Sequence, residues 1–169
     1  MINKKLIVLV LSCIMAFSLV GCSEMLTTTE DLITKAREEI MVADAETMEV
    51  QLAVKYVEDD KALMWFITGN EYQMHRYFPM VFDVMGAEEY VFVQCHKAME
   101  RGEDIAVFQW HGGYSFLVNN PKCKTIQITG DMGSITQVKI LEGEYPFYYY
   151  YEQLPQEYIF LDAEGNQIQ

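Results

Sequence analysis

The sequence predicts a mainly β, α+β fold: an antiparallel β-sandwich or strongly bent sheet of about nine short strands, with one N-terminal amphipathic helix. Three observations carry this. Apolar residues repeat with a period of 3.6 in one early segment only, and from Thr47 onward the period is two. Turn residues punctuate the chain at short intervals. No alternation of helix with strand appears, which disfavours a parallel sheet.

The helix is read from "TTTEDLITKAREEIMV". Thr27 with Glu30, or Thr28 with Asp31, has capping-box spacing, and acids fill the first turn where the helix dipole favours them. Leu32, Ile33, Ala36 and Ile40 share one face, opposite Asp31, Lys35, Glu38 and Glu39. A single apolar stripe needs a surface to cover, so the helix is expected to pack on the sheet rather than serve as a free stalk.

Met48, Val50, Leu52, Val54 and Tyr56 alternate with polar or small residues, as in a half-buried strand. Glu58 to Lys61 forms a polar turn into a second strand, Ala62 to Thr68, and Gly69-Asn70 signals a hairpin into Tyr72 to Tyr77. Pro79 is expected to interrupt any central strand, leaving 80–84 as an edge strand or a continuation past a bulge. Strands at 90–96, 105–110, 114–118, 125–129 and 135–141 follow. The aromatic tract "YPFYYYY" and a return strand at 158–161 complete the set, ending in an "AEGN" turn.

Ahead of this domain, Asn3-Lys4-Lys5 precedes fifteen residues, Leu6 to Val20, that are apolar or small apart from Ser12 and Ser18. A spanning helix needs about 20 apolar residues, so the run suits a signal-peptide core. It ends in Leu19-Val20-Gly21-Cys22, which resembles the lipobox of bacterial lipoproteins. The resemblance implies that Cys22 carries a diacylglyceryl group, with cleavage before it, and a lasting attachment to the cell membrane facing outside the cytoplasm. It divides the chain into a signal peptide (1–21), a lipidated tether (22–26) and a single helix-plus-β extracytoplasmic domain (27–169). As a whole the chain is similar only in kind to small uncharacterised lipoproteins of Gram-positive bacteria.

Removing residues 1–21 takes Lys4 and Lys5 with it, and the formal charge moves from −13 to −15 over 148 residues. That charge repels phosphate backbones and argues against nucleic acid as a partner. Beyond the acyl modification no cofactor is expected. Cys95 and Cys123 are either a disulfide closing about 28 residues or two buried thiols. His75, His96 and His111 lack the paired spacings of a zinc site, and Cys95 and His96, adjacent on a strand, point to opposite faces. A nucleophile pair of either cysteine with His111 has no local support, and Ser115 in "HGGYS" lacks a nucleophile elbow. "DAEGNQ" has its glycine in the wrong place for an EF-hand and reads as a hairpin turn.

The aromatic tract is the strongest candidate for a contact surface. Rings stand on both faces of its strand; one face fills the core, and the other needs the helix, a return strand or a partner to cover it. Tyr145, Tyr148, Tyr149, Tyr150 and Tyr151, with Trp65 and Trp110, are the candidate binding residues. The functional expectation is a non-catalytic domain that binds a protein or small ligand at the membrane. The alternatives are an inhibitor or immunity-type protein for a cationic partner, and a cell-envelope enzyme.

Overall fold

The computed structural model describes residues 24–40, 48–69, 75–99 and 103–168. The signal segment, Cys22, Thr47, Asn70 and Tyr72 lie outside the described residues. Among the described residues the fold is mainly β and antiparallel, with one α-helix, as expected.

A two-residue strand β1 (Met25–Leu26) precedes helix α1 (Thr29–Glu39). Of the two capping pairs, Thr28 and Asp31 form the box: Asp31 N–H donates to Thr28 Oγ1 at 3.1 Å, and Thr28 N–H donates to the Asp31 carboxylate at 2.9 Å. Backbone N–H donation from Thr27, then from Thr28, holds the Asp31 carboxyl below its ordinary pKa. Leu32, Ala36 and Ile40 are buried as the periodicity predicts, with Ile33 packed beside them.

Strands β2 (Val50–Glu58), β3 (Lys61–Thr68), β4 (Arg76–Gly86) and β5 (Glu89–Cys95) follow as a meander, and β1 pairs with β5. They form a five-stranded sheet in the order β1-β5-β4-β3-β2. Strands β6 (Ile105–Trp110) and β7 (Gly113–Val118) join β10 (Phe147–Tyr151) in a middle sheet ordered β10-β7-β6. Strands β8 (Thr125–Thr129), β9 (Ile135–Lys139) and β11 (Glu157–Leu161) make an outer sheet ordered β11-β8-β9.

Alternation along the strands sorts the apolar residues into three cores, and the cores give the order of the layers. Ala62, Met64 and Phe66 of β3, with Phe78, Met80 and Phe82 of β4, pack under the helix. Leu63, Trp65 and Ile67, on the opposite face of β3, meet Ala106, Trp110 and Leu117 of the middle sheet. Phe116 and Val118, on the far face of β7, meet Ile126, Ile128 and Phe160 of the outer sheet. The molecule is therefore four layers deep: helix, five-stranded sheet, middle sheet, outer sheet.

Two local features depart from the sequence expectation. Pro79 lies inside β4, opposite Trp65 of β3, and does not end the strand. Its carbonyl accepts from His96 N–H at 3.0 Å, so its missing donor also faces β5, just where that strand has ended at Cys95. In β2 the register slips between Leu52 and Val54. Val50 and Leu52 face the helix, but Val54 and Tyr56 turn to the middle sheet. Four of the five residues read as one apolar face, Val50, Leu52, Val54 and Tyr56, thus divide between two cores.

Candidate functional site

Strand β10 lies in the middle sheet with a core on each side. Phe147, Tyr149 and Tyr151 face the outer sheet; Tyr148 and Tyr150 face the five-stranded sheet. The rings on its second face are thus covered by the protein itself. All five strand residues are half-buried. Tyr56 of β2 lies 4.9 Å from the Tyr150 ring and 5.5 Å from that of Tyr148, centroid to centroid.

The hydroxyls of Tyr145 and Tyr150 are engaged inside the fold, whereas that of Tyr148 is buried without a hydrogen-bond partner among the described residues. Tyr145 Oη donates to the Cys123 carbonyl at 2.5 Å, and Tyr150 Oη to the Trp110 carbonyl at 2.9 Å. Burial pushes the Tyr150 phenol up to about 12, and raises that of Tyr148 too. The two tryptophans correct the sequence expectation outright. Trp65 is wholly buried, its Nε1–H donating to Ser115 Oγ at 2.7 Å, and Trp110 is buried beside Tyr56. Neither is available to a ligand. Large flat rings fill the gap between two sheets as well as they fit a partner, and the strand pattern alone does not separate the uses.

Ser115 is accordingly a core residue, fully buried, and not a nucleophile at a surface turn. Cys95 packs in the core under the helix, whereas Cys123 is buried between the middle and outer sheets. Two sheets spaced about 10 Å apart stand between those cores, well beyond the reach of a disulfide of about 7 Å between Cα atoms. Both cysteines are free thiols, Cys123 buried and Cys95 half-buried, so of the two readings left open the fold favours free thiols over a disulfide. Burial pushes the Cys95 thiol up to about 11, with the Glu39 carboxylate adding to it, and burial raises Cys123 as well. At pH 8 a thiol of that pKa is ionised to about one part in a thousand, so native Cys95 should alkylate at least a hundredfold more slowly than an exposed cysteine. After denaturation, mass mapping should find both thiols alkylated without reductant; a recovered Cys95–Cys123 peptide pair would overturn the layer assignment.

The histidines are dispersed. The His96 ring lies tilted against Phe108 with centroids 4.6 Å apart, and burial lowers its pKa. His75 Nδ1 lies 3.5 Å from Asp104 Oδ1, which also accepts from Tyr77 Oη at 2.7 Å. His111 Nδ1 lies 3.5 Å from a buried oxygen of Glu58, and its ring stacks on Trp110. Neither cysteine shares a core with His111, and among the described residues no group of three or more His, Cys, Asp or Glu is placed to hold a metal ion. The Asp162 carboxylate is occupied by its own turn, accepting from the N–H groups of Glu164 and Asn166 and from the Asn166 side chain. Those donors, Asn166 foremost, lower its pKa, and the hairpin reading of "AEGN" stands.

What the sequence reading missed is apolar and exposed. Met25, Met85 and Val93 stand out around β1, β4 and β5; Met132, Ile135 and Leu154 do so at the outer sheet. No family model, curated protein or solved structure matches the chain.

Proposed function

We propose that the chain is a lipid-anchored extracytoplasmic domain that binds a protein or small ligand and carries no catalytic centre of its own. The observation that carries this reading is the shortness of the join. Cys22 of the lipobox-like segment is followed after two residues by β1, whose Met25 and Leu26 are paired with Val91 and Tyr90. A domain tied so closely to acyl chains stays at the membrane surface, where its useful property is what its exposed faces hold there. The raised pKa of both thiols, Cys95 half-buried and Cys123 buried, and the core position of Ser115 support binding over nucleophilic chemistry. The contact surface then lies on the loops and exposed apolar side chains and excludes Trp65 and Trp110.

The test is fractionation followed by crosslinking. Wild-type protein should pellet with membranes and carry a diacylglyceryl mass on Cys22, whereas Cys22→Ala should leave the membrane fraction. Crosslinking of the anchored protein should repeatedly enrich the same partner or ligand. Recovery of intact protein with Met1 and no lipid would overturn the anchor, and repeated crosslinking without enrichment would overturn the binding role.

A further inference from the structure

We propose that one end of the layered sheets docks a basic amphipathic segment of a protein partner; this deepens the binding reading above and takes its orientation from the anchor. Five turns come together at that end. The β2–β3 turn meets the end of β4, where Val84 N–H donates to the Asp60 carbonyl at 2.8 Å, and Gly86 pairs with Glu89 across the β4–β5 turn. His111 of the β6–β7 turn lies 3.5 Å from Glu58, and Tyr151, at the end of β10, pairs with Tyr114. The Tyr151 hydroxyl stands against Gly130 of the β8–β9 turn, and the β10–β11 link joins through Gln156 N–H, which donates to the Thr129 carbonyl.

Charge divides along this axis. Asp59, Asp60, Glu88, Glu89, Asp131 and Glu152 stand exposed at the five-turn end. Its bases among the described residues are Lys55 and Lys61, and both are already paired, with Glu88 and Asp83. Arg76, Lys97, Lys122, Lys124 and Lys139 lie toward the opposite end, where β4, β6 and β8 begin and β5, β7 and β9 end. Of the eight large apolar side chains exposed among the described residues, five stand among the acids: Val57, Met85, Met132, Ile135 and Leu154. The opposite end has only Leu141 of that set. Acids alone serve solubility; apolar side chains interspersed with unpaired acids fit a partner that is both cationic and apolar.

The anchor leaves this end free. β1 runs antiparallel to β5, with Leu26 opposite Tyr90 and Met25 opposite Val91, so it points toward the acidic end and starts from the basic side. Cys22, three residues before Met25, then holds the basic end to the membrane and turns the acidic end outward. Neighbouring sheets pack about 10 Å apart, so Met85 of the five-stranded sheet and Met132 of the outer sheet are on the order of 20 Å apart. A helix rising about 1.5 Å per residue bridges them in about 14 residues.

Peptide binding to the full acylated protein in phosphatidylcholine nanodiscs tests this, with the lipid mass on Cys22 verified first and empty nanodiscs as the blank. The probes are a labelled Lys-Leu helix of about 14 residues and an equally charged Lys-Ser peptide of the same length. Glu89→Gln with Glu152→Gln should weaken binding of the Lys-Leu peptide by at least about threefold. Glu142→Gln with Glu164→Gln, an equal charge change at exposed positions of the opposite end, should leave it near wild type. Met132→Asn, which suits the left-handed φ of 57° there, should weaken the Lys-Leu peptide and leave the Lys-Ser peptide unchanged. Equal losses from the two glutamate pairs would show attraction by net charge alone and overturn the docking end. No binding of the Lys-Leu peptide, on lipoprotein whose crosslinking does enrich a partner, would overturn the basic segment and leave the binding role intact. Absence of the lipid mass would overturn the outward orientation together with the anchor.

Discussion

Trp65→Ala should cost about 3–5 kcal/mol of folding stability, the price of removing a large ring from a closed core. The side chain is wholly buried at the centre of the interface between the five-stranded and middle sheets, edge-on to Phe108 at 6.3 Å. Domains of this size hold about 5–15 kcal/mol in total and lose about 2–4 °C of melting temperature per kcal/mol, so the midpoint should fall by about 6–20 °C. Trp65→Phe separates packing from the hydrogen bond. It keeps most of the ring, and Tyr148 stands near Ser115, ready to take over the oxygen that Trp65 releases. Its cost should stay near 1 kcal/mol, the net worth of one hydrogen bond. Leu141→Ala, at an exposed position, should change stability by less than about 0.5 kcal/mol. Urea unfolding of the three variants checks the order. A Trp65→Ala loss as small as that of Leu141→Ala would mean the ring lies on a surface, as a ligand-binding tryptophan would.

The same residue shows where sequence reasoning stopped. Local features were legible because their causes are local: the Thr28–Asp31 cap, the stripe of Leu32, Ala36 and Ile40, and the "AEGN" turn all depend on neighbours within a few residues. Pro79 was misjudged because its tolerance depends on β5 ending at Cys95, a non-local fact. The bulge in β2 likewise adds a residue that strict alternation cannot register. A sharper signal was present in "ALMWFI" and "FYYYY", which are apolar or aromatic at every position. Strands of that kind are covered on both faces. Both prove to be inner strands, β3 between helix and middle sheet, β10 between two sheets. Reading the second face of β10 as surplus assumed two layers where there are four.

Gly113→Ala should be the more damaging change of the neighbouring glycine pair, although Gly112 has the conformation that favours glycine. Gly112 has φ +83° at the β6–β7 turn, with open space where a Cβ would stand, so alanine there meets only backbone strain of about 1 kcal/mol. A Cβ on Gly113 would stand 2.2 Å from the Tyr151 carbonyl oxygen and 2.8 Å from the Tyr150 phenol. Tyr150 could swing aside, but the carbonyl cannot, because Tyr151 is held in register with Tyr114 on the adjacent strand. Relief requires β7 and β10 to separate, and overpacking of this kind costs about 1–3 kcal/mol, here toward the upper end. The damage should be local. Hydrogen exchange in Gly113→Ala should quicken at 147–151 while 61–68 keep their protection, because β3 is bonded to β2 and β4 and not to the middle sheet. Gly112→Ala should leave both segments close to wild type. If the two variants proved equal, the close approach of β10 to β7 would be wrong, and with it the argument that the tyrosines are held inside.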